Sequence, residues 1–298
     1  MDRKRFTIQI KGKKYVLGER TWIMGVVNVT PDSFSNGGHY FEKEKAVERG
    51  LELAADGADI IDIGGESTKP GSDPVPTKEE FRRVVPVLKE LRDKTPVLLS
   101  VDTTKADIAR AALDAGADIV NDISSFRFDA RMISLVAQHD VPVVLMHMKG
   151  TPKTMQLEPH YEDLLAEIGS FFKERLEVAQ AYGIKKENII IDPGIGFGKK
   201  FQANLILINR LSFFKDLDVP ILVGISRKSF IGKILNSPPQ ERLEGTIAAS
   251  LLSFIHGAHI LRVHDVKAVR RATLVAEAIL SENHGKNPNG ENKNRHVC

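Results

Sequence analysis

A carboxylate, an amide or a basic side chain closes one short apolar run after another in this sequence. Asn28 follows Trp22-Ile-Met-Gly-Val-Val, Glu66 follows Ile60-Ile-Asp-Ile-Gly-Gly, Asp102 ends Val97-Leu-Leu-Ser-Val, and Asn121 ends Asp118-Ile-Val. His147 closes Val143-Val-Leu-Met and Asp192 closes Ile189-Ile-Ile; Lys228 lies just past Ile221-Leu-Val-Gly-Ile-Ser, and Arg262 and His264 belong to Ile260-Leu-Arg-Val-His. Asp102, Asn121 and Asp192 present paired acceptors and donors, the groups that read a flat, nitrogen-rich heterocycle. Arg262, with Asn28 and His264, supplies cationic or donor groups suited to phosphate, and a guanidinium also lies flat on a ring. Lys228, in Ser-Arg-Lys-Ser, could form a Schiff base or simply donate to a ring atom. No cysteine pair and no His-x-x-x-His favours zinc; a magnesium ion held mainly by substrate phosphates, with an amide such as Asn28, fits better.

These residues need a scaffold that points them the same way. Asn188-Ile-Ile-Ile-Asp-Pro-Gly-Ile-Gly-Phe-Gly-Lys199 shows the pattern at its clearest: a fully apolar strand, as in a buried parallel sheet, runs into a carboxylate, a proline and spaced glycines. The spacing is G-x-G-x-G without a ribose-reading acid, so it is no dinucleotide fingerprint. Helical patterns separate the runs, at about 42–56, 78–93, 105–115 and 161–182. Three strand approaches are nearly one phrase: Asp56-Gly-Ala-Asp-Ile, Ala115-Gly-Ala-Asp-Ile and His256-Gly-Ala-His-Ile, each with a glycine to stop a helix. About eight strand-then-helix units in roughly 250 residues predict a (β/α)8 TIM barrel, with a doubly wound open sheet as the rival. Parallel strands share a direction, so in a barrel the polar ends surround one mouth. Any one of them could be a helix cap; about eight at one rim are poorly explained that way.

Flanking stretches are simpler. Residues 1–20 alternate about Lys11-Gly12 and predict an N-terminal β-hairpin decorating a catalytic barrel over 21–280; residues 281–298 are a polar tail expected to be disordered, so His284 and His296 carry no metal reading. With 42 Lys and Arg against 39 acidic residues, the net charge of +3 is too small a bias to argue for nucleic acid. Cys298 is the only cysteine, no apolar run reaches the roughly 18 residues that span a bilayer, and no apolar signal region follows Met1-Asp-Arg-Lys-Arg-Phe. A soluble, cytoplasmic protein away from the membrane is expected.

The motifs resemble those of the dihydropteroate synthase family: Met24-Gly-Val-Val-Asn-Val-Thr-Pro-Asp-Ser-Phe-Ser, Gly64-Gly-Glu-Ser-Thr-Lys-Pro-Gly, Asp192-Pro-Gly-Ile-Gly-Phe-Gly-Lys, Ser226-Arg-Lys-Ser-Phe-Ile-Gly and Arg262-Val-His-Asp-Val, in order from about 22 to 280. That resemblance implies a TIM-barrel homodimer using magnesium. It would join 7,8-dihydropterin-6-ylmethyl diphosphate to 4-aminobenzoate, giving 7,8-dihydropteroate and pyrophosphate. On the matching positions, Asp102, Asn121, Asp192 and Lys228 would hold the pterin, with Met146 lining its pocket and Arg262 against its face. Asn28, Thr68, Arg262 and His264 would hold the diphosphate and its metal; Phe197, Lys228, Ser229 and Pro70 would border the aminobenzoate. Asn36, Lys69 and Ser125 depart from the family, which usually has aspartate, arginine and glycine there. The amide at 36 removes a charge that could steady a cationic intermediate, and Lys69 lacks the planar fork. Two relatives of the same barrel stay open as alternatives: a methyltetrahydrofolate:corrinoid methyltransferase domain, and a non-catalytic pterin binder.

Overall fold

A computed structural model describes residues 3–30 and 39–282. Its main sheet has eight parallel strands: β3 (Trp22–Asn28), β4 (Ile60–Gly64), β5 (Leu98–Asp102), β6 (Ile119–Asp122), β7 (Val143–Met146), β8 (Ile189–Asp192), β9 (Leu222–Gly224) and β10 (Ile260–Val263). Neighbours follow chain order, and β10 pairs with β3. Ile191 N–H donates to Pro220 O at 3.0 Å beside a parallel Ile191–Ile221 bridge, so the sheet closes and the open-sheet rival is excluded. Helices follow the strands: α1 (His39–Ala55), α2 (Thr77–Lys94), α3 (Ala106–Asp114), α4 (Arg131–His139), α5 (Leu164–Ala181), α6 (Phe201–Asn209), then α7 (Ser229–Leu235) and α8 (Leu243–Ile255), and α9 (Val266–Ser281). Helix α5 starts three residues later than its periodicity implies because Asp163 caps it, accepting from Leu165 N–H at 3.1 Å and Ala166 N–H at 3.0 Å. The predicted tail beyond 282 lies outside the described residues. No helix among those described is long and apolar enough to cross a membrane.

Alternation along the strands sorts the core into two. Ile61 and Ile63 of β4 pack outward with Val84, Val87 and Leu88 of α2, whereas Ile60 points inward. One inward residue per strand forms the barrel's lowest layer: Met24, Ile60, Leu98, Ile119, Val144, Ile190, Leu222 and Ile260. The hairpin of β1 (Phe6–Ile10) and β2 (Lys13–Leu17), as predicted, stoppers this end with Ile8, Ile10 and Leu17. Leu17 is fully buried, so Leu17→Ala is expected to lower stability by about 2–5 kcal/mol through transfer and cavity terms. Denaturant melts check the loss, and the Michaelis constants, set at the opposite end, should not move.

The repeated Gly-Ala phrases serve that lower rim. Gly57, Gly116 and Gly257 all stop their helices with left-handed backbone. Two residues on, Asp59 accepts from Ile23 N–H at 2.8 Å, Asp118 from Leu99 N–H at 2.9 Å, and His259 Nδ1 from Ile221 N–H at 3.1 Å. Each phrase thus satisfies the first free donor of a neighbouring strand, a structural use of polar groups at the end away from the site.

Candidate active site

Two residues beyond the apolar floor, the inward positions become Asp62, Ser100, Asn121, Met146, Asp192, Gly224 and Arg262 on β4 to β10. Arg262 donates through Nε to Asp62 Oδ2 at 2.6 Å and through Nη2 to Asp102 Oδ2 at 2.7 Å. Asn121 donates its amide to the same Asp62 oxygen at 3.0 Å. Register explains the meeting, since Asp62 lies beside Ser100 and Asp102 beside Asn121. Asp192 faces the same space across Gly224, where a Cβ would stand 3.9 Å from both Asp192 Oδ2 and Arg262 Cβ. Asp102, Asn121, Asp192 and Arg262 therefore share one basin.

Burial sets the electrostatics of that basin. It lifts Asp102 to about 7, with Arg262 pulling down and Asp62, Glu80 and Asp122 pushing up. Asp192 is also raised by burial, against the pull of Lys228 and the Gly194 N–H. Lys228, at the N-terminus of α7, is brought down to about 8 by burial despite Asp192. Its amine donates to Ile195 O and lies 4.6 Å from the centroid of the Phe197 ring. Burial would also lower Arg262, but Asp62 and Asp102 outweigh it and keep the guanidinium charged.

Beside the carboxylates stands an apolar wall of Ile123, Met146, Met148 and Met155, with Phe197 packed on it. Ser229 is exposed at the first residue of α7, and Lys69 and Pro70 are exposed on the loop after β4, with Thr68 half-buried. That loop is tied to the one after β7 by Gly71 N–H to Pro152 O at 3.0 Å and by a Lys153–Asp73 ion pair at 2.7 Å. The β7 loop in turn reaches the β8 loop through Gln156 Nε2 to Gly196 O at 2.7 Å.

On the adjoining part of the rim, Asn28 ends β3 beside Gly64, itself the register partner of Asp102. The His264 backbone N–H donates to Ser226 Oγ at 3.2 Å, and that hydroxyl lies 3.0 Å from His264 Nδ1. In the tautomer in which Ser226 donates its hydroxyl proton to Nδ1, Nε2–H is left as a donor. Burial, reinforced by Arg262 and Arg227, takes the imidazole down to about 4, so His264 offers a neutral N–H instead of a cation. Among the described residues no group of three or more His, Cys, Asp or Glu is placed to hold a metal. A single neutral oxygen donor such as Asn28 fits a hard cation carried mainly by phosphate and water.

Two strand-end residues expected at the mouth turn elsewhere. His147 follows inward-facing Met146 and so points out, its ring 4.9 Å from Phe171 and 6.5 Å from Phe172 on α5. Its Nδ1 meets Lys199 Nζ at 2.9 Å, and that amine also donates to His147 O at 3.1 Å and Phe197 O at 2.9 Å. Glu66 is spent on loop structure, accepting from Val75 N–H at 3.0 Å and from Lys105. Asn36 lies outside the described residues. Ser125, where glycine was the expectation, does adopt a left-handed φ of 53°, and its hydroxyl donates to Met146 O at 2.9 Å, an anchor glycine would lack. Sequence reasoning passed over Asp62 and Lys199. A carboxylate alone in Ile-Ile-Asp-Ile-Gly was a legible signal for the first; the partners of the second come only from tertiary structure.

The family described as "Pterin binding enzyme" matches residues 24–264. A curated dihydropteroate synthase of Synechocystis sp. is 47% identical over 263 residues, covering 88% of this chain and 91% of that protein. The solved structure of Xanthomonas albilineans dihydropteroate synthase with 4-aminobenzoic acid superposes with a TM-score of 0.87 at 45% identity, over 93% of this chain and 99% of that one. The structure of the same enzyme in complex with 7,8-dihydropteroate gives a TM-score of 0.84 at 43% identity, over 92% and 99%. Likeness of this extent, over a closed barrel, places the chain in the pterin-binding enzyme family, among the dihydropteroate synthases.

Proposed function

We propose that this basin transfers the 7,8-dihydropterin-6-ylmethyl group from its diphosphate to 4-aminobenzoate, giving 7,8-dihydropteroate and pyrophosphate. One observation carries the reading: Asp62 ties Asn121 to Arg262 and Arg262 ties in Asp102, with Asp192 opposite across Gly224. Asp102, Asn121, Asp192 and Lys228 read the donor and acceptor edge of the pterin, Met146 supports it and Arg262 lies on its face. Asn28, Thr68, Arg262 and the Nε2–H of His264 take the diphosphate. Phe197, Ser229 and Pro70 border the aminobenzoate.

The C–O bond to the diphosphate breaks with its electron pair leaving on oxygen, and the methylene is left cationic but conjugated with the ring. Arg262 neutralises the leaving group while Asp102 and Asp192 tolerate the cation, chiefly electrostatic work. The aniline nitrogen then forms the C–N bond and gives up its proton to the released pyrophosphate, held in line by the Phe197 wall and the linked loops. A magnesium ion on the diphosphate, with Asn28 among its ligands, would add charge neutralisation at the leaving oxygen. Pyrophosphate release with both substrates present tests the reading: a pure binder releases none, and a methyltransferase requires a corrinoid partner.

A narrow pH optimum follows. Asp102 must be ionised to accept from the pterin and Lys228 protonated to donate, so kcat/KM should fall below about 7 and again above about 8. A rate profile across pH 5–10 checks both limbs. At position 36, restoring the carboxylate with Asn36→Asp is expected to raise turnover by steadying the cation; steady-state kcat of the two proteins, with Lys69 unchanged in both, is the comparison. Homodimerisation is supported by the exposed apolar side chains of α7 to α9: Ile234, Leu235, Leu252, Ile255, Leu274, Val275 and Ile279. A reducing cytosol suits a chain whose only cysteine is Cys298.

A further inference from the structure

Asp62 is fully buried within β4, one step below the strand ends that meet the ligand. Its Oδ2 is shared, accepting from Arg262 Nε at 2.6 Å and from the Asn121 amide at 3.0 Å. Its other oxygen, Oδ1, is buried with no partner among the described residues, and so is the hydroxyl of Ser100, its register neighbour. A carboxylate kept only for packing is poorly placed here. Desolvating it is unfavourable, an unpaired oxygen adds to that, and apolar replacements of buried ion pairs are often neutral or stabilising. The charge makes sense through what Oδ2 fixes: the guanidinium set against the ring face and the amide set at the ring edge.

We propose that Asp62 is a positioning residue for the pterin half-reaction, holding Arg262 and Asn121 at one spacing through a single carboxylate oxygen. It touches no substrate itself. The inference rests on the reading of the basin as a pterin site and adds to it a dependence of ring recognition on a residue beneath the ring. It separates the two substrates, since Phe197, Ser229 and Pro70 are not tied to Asp62.

Asp62 also bears on Asp102, which faces Arg262 from β10, Asp62 from β4, Asp122 from β6 and Glu80 from α2, the last paired with Lys105. Its charge is one of those raising the Asp102 carboxyl. Neutralising position 62 lets Asp102 stay ionised to lower pH, so the acid limb of kcat/KM moves down.

The test uses Asp62→Asn, which keeps shape and an acceptor, and Asp62→Leu, which keeps neither. Asp62→Asn is expected to raise KM for the pterin diphosphate about tenfold, to leave KM for 4-aminobenzoate within about twofold, and to move the acid limb to lower pH. Asp62→Leu, if folded, should do more to the pterin constant. Calorimetric titration of Asp62→Asn with the pterin diphosphate should show the same tenfold weakening without turnover, whether or not Asp62→Leu folds. Unchanged pterin affinity, or equal rises in both constants with an unmoved limb, would overturn the proposal. A wild-type protein that binds the pterin but releases no pyrophosphate would instead sink the transfer reading while the titration still judges Asp62.

Discussion

Arg262→Ala is expected to lower kcat/KM for the pterin diphosphate by about 10³-fold or more, since the proposed mechanism gives this one side chain both the leaving group and the ring face. It should also destabilise the fold. Asp62 is fully buried and Asp102 nearly so, and truncation leaves both carboxylates without their cation. Breaking a buried pair costs about 3–5 kcal/mol, discounted here to roughly 2–4 because the Arg262 side chain is 21% exposed. The pH profile carries a further sign. Arg262 pulls the Asp102 carboxyl down, so without it Asp102 rises above about 7 and the acid limb moves to higher pH, opposite to Asp62→Asn. Arg262→Lys keeps the charge but cannot span Asp62 and Asp102 as Nε and Nη2 do, so it should recover stability better than rate. Steady-state kinetics with thermal melts decide. An Arg262→Ala protein within tenfold of wild type would show that the basin works without its cation.

What was readable in the sequence followed from two rules. Parallel strands share a direction, which gathered Asp102, Asn121, Asp192 and Lys228 at one rim as soon as eight strand-then-helix units were counted. The period-two alternation of a strand decides which of the strand-end residues face the mouth. Once Met146 is inward, His147 on the next residue faces the helices, and its contacts with Phe171 and Lys199 are what that parity requires. The same parity places Asp62 inward, two residues from Ile60 and two before Gly64, and a lone carboxylate in so apolar a strand needs a partner inside the barrel. Lys199 was beyond such rules. Its three acceptors come from the ends of β7 and the β8 loop, and nothing local marks the lysine after Gly198 as buried at 2% exposure. Chain order likewise said nothing of how the β4, β7 and β8 loops hold one another through Gly71, Lys153 and Gln156. Helix limits were off by a few residues where a cap decided them, as at Asp163.

The β8 loop is also where a single methyl group should do most harm. Gly194 has a left-handed φ of 69°, and a Cβ there would fall 2.0 Å from the backbone oxygen of His147. Gly183, beyond α5, has a similar φ of 88° but nothing within 4 Å of the same added atom. The pair therefore separates two effects that a glycine substitution usually mixes. Gly183→Ala meets only the intrinsic strain of the left-handed region, about 1–2 kcal/mol. Gly194→Ala adds a collision with backbone that no rotamer relieves, so the loop must move off the end of β7, and a loss above about 4 kcal/mol is expected. That movement has consequences for chemistry. Gly194 N–H donates to Asp192 Oδ1 at 2.7 Å, and Lys199 binds the carbonyls of both His147 and Phe197. Displacing the loop frees Asp192, to which the proposed reading gives the pterin edge, and shifts Phe197 with it, and a misplacement of about 1 Å suffices to lose a hundredfold in rate. Gly194→Ala should lose stability and turnover at once, while Gly183→Ala loses a little stability and no turnover. Equal melting temperatures for the two variants would show that the loop yields without carrying Asp192 and Phe197 along, and that the β7–β8 staple does not govern the site.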